Sequence, residues 1–401
     1  MSNPATKKPS LKILFAQKLE QLFSMSYLPK ARHVLVMSLL ILMTLSLLMI
    51  ASASIPFAQK YNLPELKFFW SQLSYIGIGL VAGFIVYHIP LKWYYQFPLI
   101  FSAWFFVQLL LVLTLFSDKI NGSRRWLDFG VMNLQTAELA KILMVIIIAD
   151  YVVRRSAEVR EHIFYGWRLL LWYLPVSLLI VMQPDLGTVL VILATAFIVL
   201  FVSGTPYSHS LVLTGIGAVA SYFAIRVAEY RAKRLMSFLD PYNDVQDTDF
   251  QPARALAAFS RGGFDGVGYG DSILKLSHLP EAHTDYLLAI TGEELGFIGV
   301  ASVLLLEILI IACIMRISYQ ALKRNQLRLS YTTFGFATVI FGQVFINAGM
   351  NMSLLPSKGL TLPFYSFGGS SMLVMMMMIA IVLKVDAQSA QIDKDNQNRK
   401  Y

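Results

Sequence analysis

The sequence predicts an all-α polytopic membrane protein of about ten transmembrane helices, with one long extracytoplasmic loop between the seventh and eighth helices. Of the 401 residues, 56% are hydrophobic and only 14% are charged, whereas soluble domains carry about 25% charged residues. The mean hydropathy is +0.60. Apolar runs recur along the chain at the length needed to cross a bilayer, which is about 20 residues.

The chain divides into an N-terminal segment, a membrane domain and a tail. Residues 1–32 are predicted to be cytoplasmic, with apolar side chains near helical period from Leu11 to Phe23, as in a helix on a membrane surface. The membrane domain covers 33–385, and 386–401 form a polar cytoplasmic tail. The predicted spans are 33–52, 69–88, 97–116, 138–153, 166–182, 186–203, 208–227, 295–315, 331–351 and 366–385. The extracytoplasmic loop covers about 228–284.

The basic residues predict the orientation. Of the 33 Lys and Arg residues, nineteen lie in segments predicted to be cytoplasmic and seven in the short outer loops. By the positive-inside rule, both termini are cytoplasmic. The net charge of +9 is scattered between apolar segments, so it indicates topology and not a nucleic-acid partner. The single cysteine, Cys313, excludes an intrachain disulfide.

A glycine-rich run from Arg261 to Gly270 superficially resembles a nucleotide-binding loop. It follows no predicted strand, and it lies on the side of the membrane that has no ATP pool. We interpret it as a flexible, turn-rich loop. A backbone cradle for a lipid pyrophosphate is the alternative.

Polar clusters recur at the outer ends of the predicted spans, where ionisable groups are costly and usually functional. The clusters are Asn121-Gly-Ser-Arg-Arg-Trp126, Gln135 to Lys141, Gln183-Pro-Asp-Leu-Gly187, Leu279-Pro-Glu-Ala-His-Thr-Asp285, Gly292-Glu-Glu-Leu-Gly296, Leu355-Pro-Ser-Lys-Gly-Leu-Thr-Leu-Pro363 and Ser366-Phe-Gly-Gly-Ser-Ser371. Because they all fall on one face, they predict a single site.

Several of these groups also have a purely structural interpretation. Asp285 could cap the eighth helix. Glu138 and Lys141, one turn apart, could form only an ion pair. His283 is typical of a hydrogen-bonding partner, and Glu307, deep in the eighth span, is predicted to be paired within the bundle.

These clusters resemble the SEDS family of bacterial shape and division proteins, and within it the FtsW-type division branch, over about residues 33–385. The segments 279–285, 292–296, 355–363 and 366–371 carry the most specific likeness. One departure is Gln135-Thr-Ala-Glu138, where the family usually has Gln-Pro-Ser-Glu.

The resemblance implies a septal peptidoglycan glycosyltransferase that polymerises lipid II in the bacterial inner membrane. The implied partners are the growing glycan strand, a class B penicillin-binding transpeptidase and other membrane proteins of the divisome. Two alternatives stay open: a lipid II flippase, and a non-catalytic scaffold that recruits the transpeptidase.

The chemistry of such a transfer assigns roles to the polar residues. Asp285 is the candidate general base toward the acceptor sugar hydroxyl. Basic residues are candidates to stabilise the leaving undecaprenyl pyrophosphate. The predicted substrate-binding residues are Lys358 and Lys275, which we favour, and Arg124, Arg125, Lys141, Arg231, Arg234, His283 and Ser370. Glu138, Gln183, Asp185, Glu293 and Glu294 are predicted to support the site structurally. Mg²⁺ or Mn²⁺ is a candidate cofactor.

Overall fold

The computed structural model describes residues 30–119, 123–128, 130, 133–161, 167–208, 215, 250–276, 279 and 282–398. The predicted surface helix near the N-terminus, most of the predicted seventh span, Arg231 and Arg234 lie outside the described residues.

Helices make up nearly all of the described structure. They are α1 (Ala31–Lys60), α2 (Lys67–His88), a 3-10 helix (Leu91–Tyr95), α3 (Phe97–Thr114), α4 (Thr136–Arg154), α5 (Ser156–Glu161), α6 (Trp167–Met182), α7 (Leu186–Val202), α8 (Phe250–Gly262), α9 (Leu287–Lys323), α10 (Leu327–Asn351) and α11 (Gly369–Asn398). A short hairpin, β1 (Trp126–Asp128) and β2 (Asn133–Gln135), is antiparallel and was not predicted.

The helices confirm the prediction of a helical membrane protein. Six described helices, α1, α2, α3, α9, α10 and α11, are long and apolar enough to cross a membrane. Helices α6 and α7 are apolar but shorter. Each predicted span among the described residues coincides with a helix, although several helices are longer than predicted. In particular, α11 continues to Asn398, well into the predicted polar tail.

Helix α4 occupies the centre of the bundle, because apolar residues cover its whole circumference. Ile142, Val145 and Ile146 belong to one apolar core with α1, α9, α10 and α11. Met144 and Ile148 belong to a second core with α3, α6 and α7. Helix α4 therefore contacts both cores, and its first two turns carry Glu138 and Lys141 into the interior.

The glycine-rich run corrects our interpretation of a flexible loop. Helix α9 is broken at Gly296, whose φ is +64°. The run fills this break: the N–H groups of Val267 and Gly268 donate to the carbonyls of Glu293 and Glu294, both at 3.0 Å. A Cβ on Gly266 would lie 2.2 Å from the Glu294 carbonyl oxygen, so only glycine permits the approach.

These contacts also bear on the alternative of a pyrophosphate cradle. Two of the N–H groups that would form the cradle are already bonded to α9. The Tyr269 hydroxyl donates to the Leu48 carbonyl at 2.7 Å, so this part of the predicted outer loop reaches the level of the first span. Interrupted backbone is tolerated at such a depth only where protein satisfies its polar groups.

Candidate active site

A cavity of about 750 Å³ opens where one end of α4, α10 and α11 meets the start of α9. Six of the seven predicted polar clusters contribute residues to its lining, and the cluster from Gln183 to Gly187 contributes only Pro184. The lining includes Tyr75, Ser123, Arg125, Trp126, Asn133, Gln135, Glu138, Pro184, Gln251, Thr284, Asp285, Tyr286, Ser357, Lys358, Gly359, Thr361 and Gly368 to Ser371. The structure therefore brings together residues that are more than 200 positions apart in the sequence.

Asp285 is held through its backbone. The side-chain amides of Asn347 and Asn351 donate to its carbonyl at 3.0 and 2.9 Å. The Asn351 carboxamide oxygen also accepts from the Ala289 N–H at 3.1 Å. Because Asn351 belongs to α10, a neighbouring helix supplies an acceptor to the first turn of α9, where a side-chain cap would otherwise be needed. The main chain at Asp285 is thus fixed by two side chains while its carboxylate lines the cavity.

The loop that carries Lys358 is tied to the same support. The Asn347 amide that holds Asp285 also donates to the Leu360 carbonyl at 2.6 Å. Between Lys358 and Leu360, Gly359 has a φ of +63°, which favours glycine. A Cβ there would lie 3.4 Å from Asp285 Oδ2 and 3.9 Å from Arg125 Nη1. Glycine therefore lets the carboxylate and the guanidinium approach the same stretch of backbone.

Arg125 and Arg124 are neighbours in sequence but have different surroundings. The Arg125 guanidinium donates to the carbonyls of Gln183 and Pro184 at 3.2 and 2.5 Å and lines the cavity. Arg124 donates to the Leu115 carbonyl at 2.8 Å and is not part of the lining. The structure thus brings only Arg125 to the predicted site.

Glu138 closes the inner side of the cavity. The Lys141 ammonium donates to Glu138 Oε1 at 2.7 Å and to the Gln343 side-chain oxygen at 3.0 Å. Lys141 is fully buried and Glu138 is 3% exposed. The predicted ion pair is therefore present, and Lys141, which was also predicted to bind substrate, does not line the cavity. Among the described residues, Glu138 Oε2 has no hydrogen-bond partner, although Glu138 lines the cavity.

The hairpin is fastened to α11 through Ser370. The Ser370 hydroxyl accepts from the Gln135 N–H and donates to the Asn133 carbonyl, both at 2.7 Å. The Gln135 side chain donates to Asp185 Oδ2 at 2.9 Å, and Asp185 caps α7 by accepting from Thr188. Ser370 thus lines the cavity and also holds one wall of it.

Two comparisons with known proteins decide the family. The family model described as a cell cycle protein of the FtsW, RodA and SpoVE type matches residues 32–391. A probable peptidoglycan glycosyltransferase FtsW of Acinetobacter baylyi is 38% identical over 373 residues, which cover 92% of this chain and 93% of that protein. This chain belongs to the FtsW/RodA/SpoVE family.

Further relatives extend over similar shares of the chain. A probable peptidoglycan glycosyltransferase FtsW of Nitrosomonas europaea is 39% identical, covering 89% of this chain and 93% of that protein. A chain in a solved peptidoglycan synthase complex, described for its coordination of polymerization and crosslinking, has a TM-score of 0.73 at 29% identity, covering 89% and 98%. Thermus thermophilus RodA, a rod shape determining protein, has a TM-score of 0.63 at 28% identity, covering 88% and 95%.

Not every predicted site residue of this FtsW/RodA/SpoVE member reaches the cavity. The Lys275 ammonium donates to Glu294 Oε1 and Ser52 Oγ, each at 2.7 Å, and to the Gly270 carbonyl. Lys275 was favoured as a pyrophosphate contact, but these partners hold it outside the cavity lining. The reason is that Glu294, which is fully buried, takes the Lys275 ammonium as its cation.

His283 and Glu307 also differ from expectation. The His283 ring packs among Phe57, Phe68 and Phe367, with ring centroids 4.8 to 5.6 Å apart, and it does not line the cavity. The prediction that Glu307 is paired within the bundle is wrong for the described part of the chain. Glu307 is fully buried, and neither of its carboxylate oxygens has a hydrogen-bond partner there.

The sequence reasoning missed Asn351 as part of the site. Asn351 falls at the end of an apolar span. Asparagine is common at helix ends, so the residue type alone does not reveal that its side chain holds the backbone of Asp285. Its separation from Asn347 by one helical turn was the available signal, because residues four apart lie on one face of a helix.

Proposed function

We propose that this protein is a septal peptidoglycan glycosyltransferase that polymerises lipid II into glycan strands. One observation carries the proposal: a single cavity contains the Asp285 carboxylate together with the cations of Lys358 and Arg125. The names of its relatives, probable peptidoglycan glycosyltransferases, support the same reaction class.

Asp285 acts as the general base. A sugar hydroxyl of the acceptor attacks the anomeric carbon of the donor, and its proton passes to the Asp285 carboxylate. The new glycosidic C–O bond forms as the bond to the pyrophosphate breaks, and the undecaprenyl pyrophosphate leaves with the bonding electrons. Such a single displacement inverts the anomeric carbon and needs only one essential carboxylate.

Lys358 and Arg125 stabilise the leaving group. Negative charge develops on the pyrophosphate as the C–O bond breaks, and positioned cations stabilise that charge in the transition state. The Arg125 guanidinium is preorganised by two backbone carbonyls. Lys358 lies on the loop held by Asn347, so neither cation needs a large rearrangement.

A divalent cation fits this site as a companion of the substrate. Mg²⁺ is usually bound through one or two carboxylates together with substrate phosphates. Asp285 and Glu138 are the acidic residues in the described lining and would hold it, where it would share the neutralisation of the pyrophosphate. Within the described ranges, no group of three or more acidic, His or Cys side chains forms a cluster for a metal.

The proposal places the protein in the bacterial inner membrane at the septum, with both termini in the cytoplasm. Its partner is a class B penicillin-binding transpeptidase, which cross-links the new strands. The relative within a peptidoglycan synthase complex supports this pairing.

The decisive experiment is polymerisation of lipid II by the full chain, co-purified with its transpeptidase. We expect Asp285→Asn to lower the rate by at least about 100-fold, because a positioned base contributes about that much or more. Asp265→Asn, in the exposed turn outside the cavity, is the matched control. Equal polymerisation by Asp285→Asn and wild type would contradict the assignment of the base.

The same assay separates the alternatives. Polymerisation in detergent, with no bilayer to cross, does not require a flippase. A scaffold that only recruits the transpeptidase makes no glycan from lipid II, with or without Mg²⁺ or Mn²⁺. The described lining lies at one end of the helices rather than along a path through the membrane, which favours a polymerase over a transporter.

A further inference from the structure

A second pocket lies at the opposite end of the bundle from Asp285. Its volume is about 850 Å³. It is bounded by the 3-10 helix, the end of α4, the turn between α9 and α10, and the C-terminal part of α11. Because α4 begins at the catalytic cavity and ends at this pocket, the two sites are separated by the length of a membrane-spanning helix. The predicted orientation places this pocket at the cytoplasmic side.

The pocket carries unbalanced positive charge. Lys92 and Arg328 line it, and no carboxylate occurs among its described lining residues. Asp150, one turn before the end of α4, is buried and is not part of the lining. It is ion-paired with Arg154 at 2.6 Å and with Arg328 at 3.3 Å. Two arginines thus share one carboxylate, and Lys92 adds a further charge. An anionic ligand complements this arrangement.

The polar lining also offers an acceptor for a hydroxyl. The Gln326 side-chain oxygen is buried and has no hydrogen-bond partner among the described residues. A buried acceptor without a donor is unfavourable, so a ligand that carries a hydroxyl beside its phosphate would stabilise this end of the pocket. A glycerol phosphate group has both features.

The surroundings identify the source of that group as a lipid. Trp93 and Phe97, next to the pocket in sequence, are 48% and 53% exposed. Tryptophan at the end of a membrane span is typical of the interface between headgroups and acyl chains. Basic pockets between transmembrane helices on the cytoplasmic side bind anionic headgroups. Acyl chains can therefore follow the apolar surface of α3 while the headgroup enters the pocket.

We propose that this pocket binds the glycerol phosphate headgroup of an anionic phospholipid from the cytoplasmic leaflet. Lys92 and Arg328 contact the phosphate, and Gln326 accepts a hydrogen bond from the glycerol hydroxyl. This site is separate from the catalytic cavity, so the proposal does not depend on the proposed reaction.

The test is native mass spectrometry of the full-length protein in detergent, titrated with phosphatidylglycerol or phosphatidylethanolamine. We expect wild type to retain phosphatidylglycerol preferentially. Lys92→Gln combined with Arg328→Gln should weaken that binding about thirtyfold, whereas Arg155→Gln combined with Lys323→Gln, with the same loss of charge on the same face, should not. Lys92→Gln alone keeps both ion pairs of Asp150, so it tests the pocket in a protein whose buried carboxylate stays paired.

Three results would overturn the proposal. The first is equal retention of both lipids by wild type. The second is unchanged phosphatidylglycerol binding in Lys92→Gln and in the double variant. The third is displacement of the lipid by free glycerol phosphate at equal concentration, which would identify a soluble anion as the ligand. Gln326→Leu should reduce the preference for phosphatidylglycerol over phosphatidic acid, which lacks the glycerol hydroxyl, and an unchanged preference would exclude the role of Gln326.

Discussion

Two polar regions of this protein contain buried acidic and basic side chains, but the two regions differ in how many carboxylate oxygens accept a hydrogen bond. In the first, around the cavity, Glu138 pairs with Lys141 through only one carboxylate oxygen. In the second, at the break in α9, both oxygens of Glu293 and of Glu294 accept hydrogen bonds. The first region retains hydrogen-bonding capacity beside an open volume, and the second uses all of its capacity internally.

This difference distinguishes a binding site from a region whose role is structural. Glu293 accepts from Arg261, Ser272 and the N–H groups of Ile273 and Leu274, so it holds the segment after α8 against α9. A carboxylate whose two oxygens already accept hydrogen bonds from the protein has little remaining capacity to bind a ligand. It instead fixes the positions of the elements that donate to it. At the cavity, by contrast, Asn347 and Asn351 hold the backbone of Asp285 and Asn347 holds that of Leu360, while Asp285 and Lys358 line the open volume.

The largest expected effect is on stability, in the region at the break in α9. Lys275→Met leaves Glu294 buried without its cation and should lower the free energy of unfolding by about 3–5 kcal/mol. Lys275→Met combined with Glu294→Leu should recover most of this loss, because the pair is replaced by apolar side chains. Denaturant titration in detergent measures both, with exposed Lys67→Met as the control. If Lys275→Met unfolds like wild type but has lost polymerisation, Lys275 belongs to the catalytic site, and its assignment to a structural role is wrong.

The next effect is on chemistry, at the cavity. Lys358→Gln should lower kcat/KM for lipid II by about 100-fold, because one cation that stabilises the leaving pyrophosphate is removed. Lys358→Arg should recover part of the rate, since it keeps the charge. Lys67→Gln removes an exposed lysine outside the cavity and should leave the rate unchanged. A Lys358→Gln enzyme with full activity would show that Arg125 or another group carries the leaving-group charge.

The smallest expected effect is on the positioning of Asp285, and it tests whether Asn351 belongs to the site or only to the structure. Asn351→Ala removes a donor to the Asp285 carbonyl and an acceptor for Ala289, a loss of about 1–2 kcal/mol. As a positioning residue, Asn351 should affect kcat about tenfold and KM much less. Exposed Gln59→Ala is the control. A fall in the thermal midpoint with kcat unchanged would instead assign Asn351 to the structure alone.

The sequence predicted the membrane helices well and their interruptions poorly. Apolar length and the scatter of charge identify α1, α2 and α10 without reference to anything else in the chain. The break at Gly296 depends on a partner segment about 30 residues away that satisfies the freed backbone groups. Local periodicity contains no information about that partner, so the glycine-rich run was interpreted as flexible.

The site was predicted in part for the same reason. Asp285, Lys358 and Arg125 stood out because charged residues near the ends of membrane spans are costly. Lys275 stood out equally, since its charge and position on the outer side met the same criterion. Only the tertiary structure distinguishes the two lysines: Lys358 lines an open cavity, whereas Lys275 is enclosed by Glu294 and Ser52.

The sequence by itself therefore determined that this chain is a helical membrane protein, and it indicated the candidate base and two of the cations near it. These conclusions rest on the free energy of transferring side chains into lipid, which depends on residue type and order alone. The tertiary structure decided which polar groups satisfy one another and which face a cavity. That outcome depends on contacts between distant segments, because a buried charge is stable only where the fold supplies its partner.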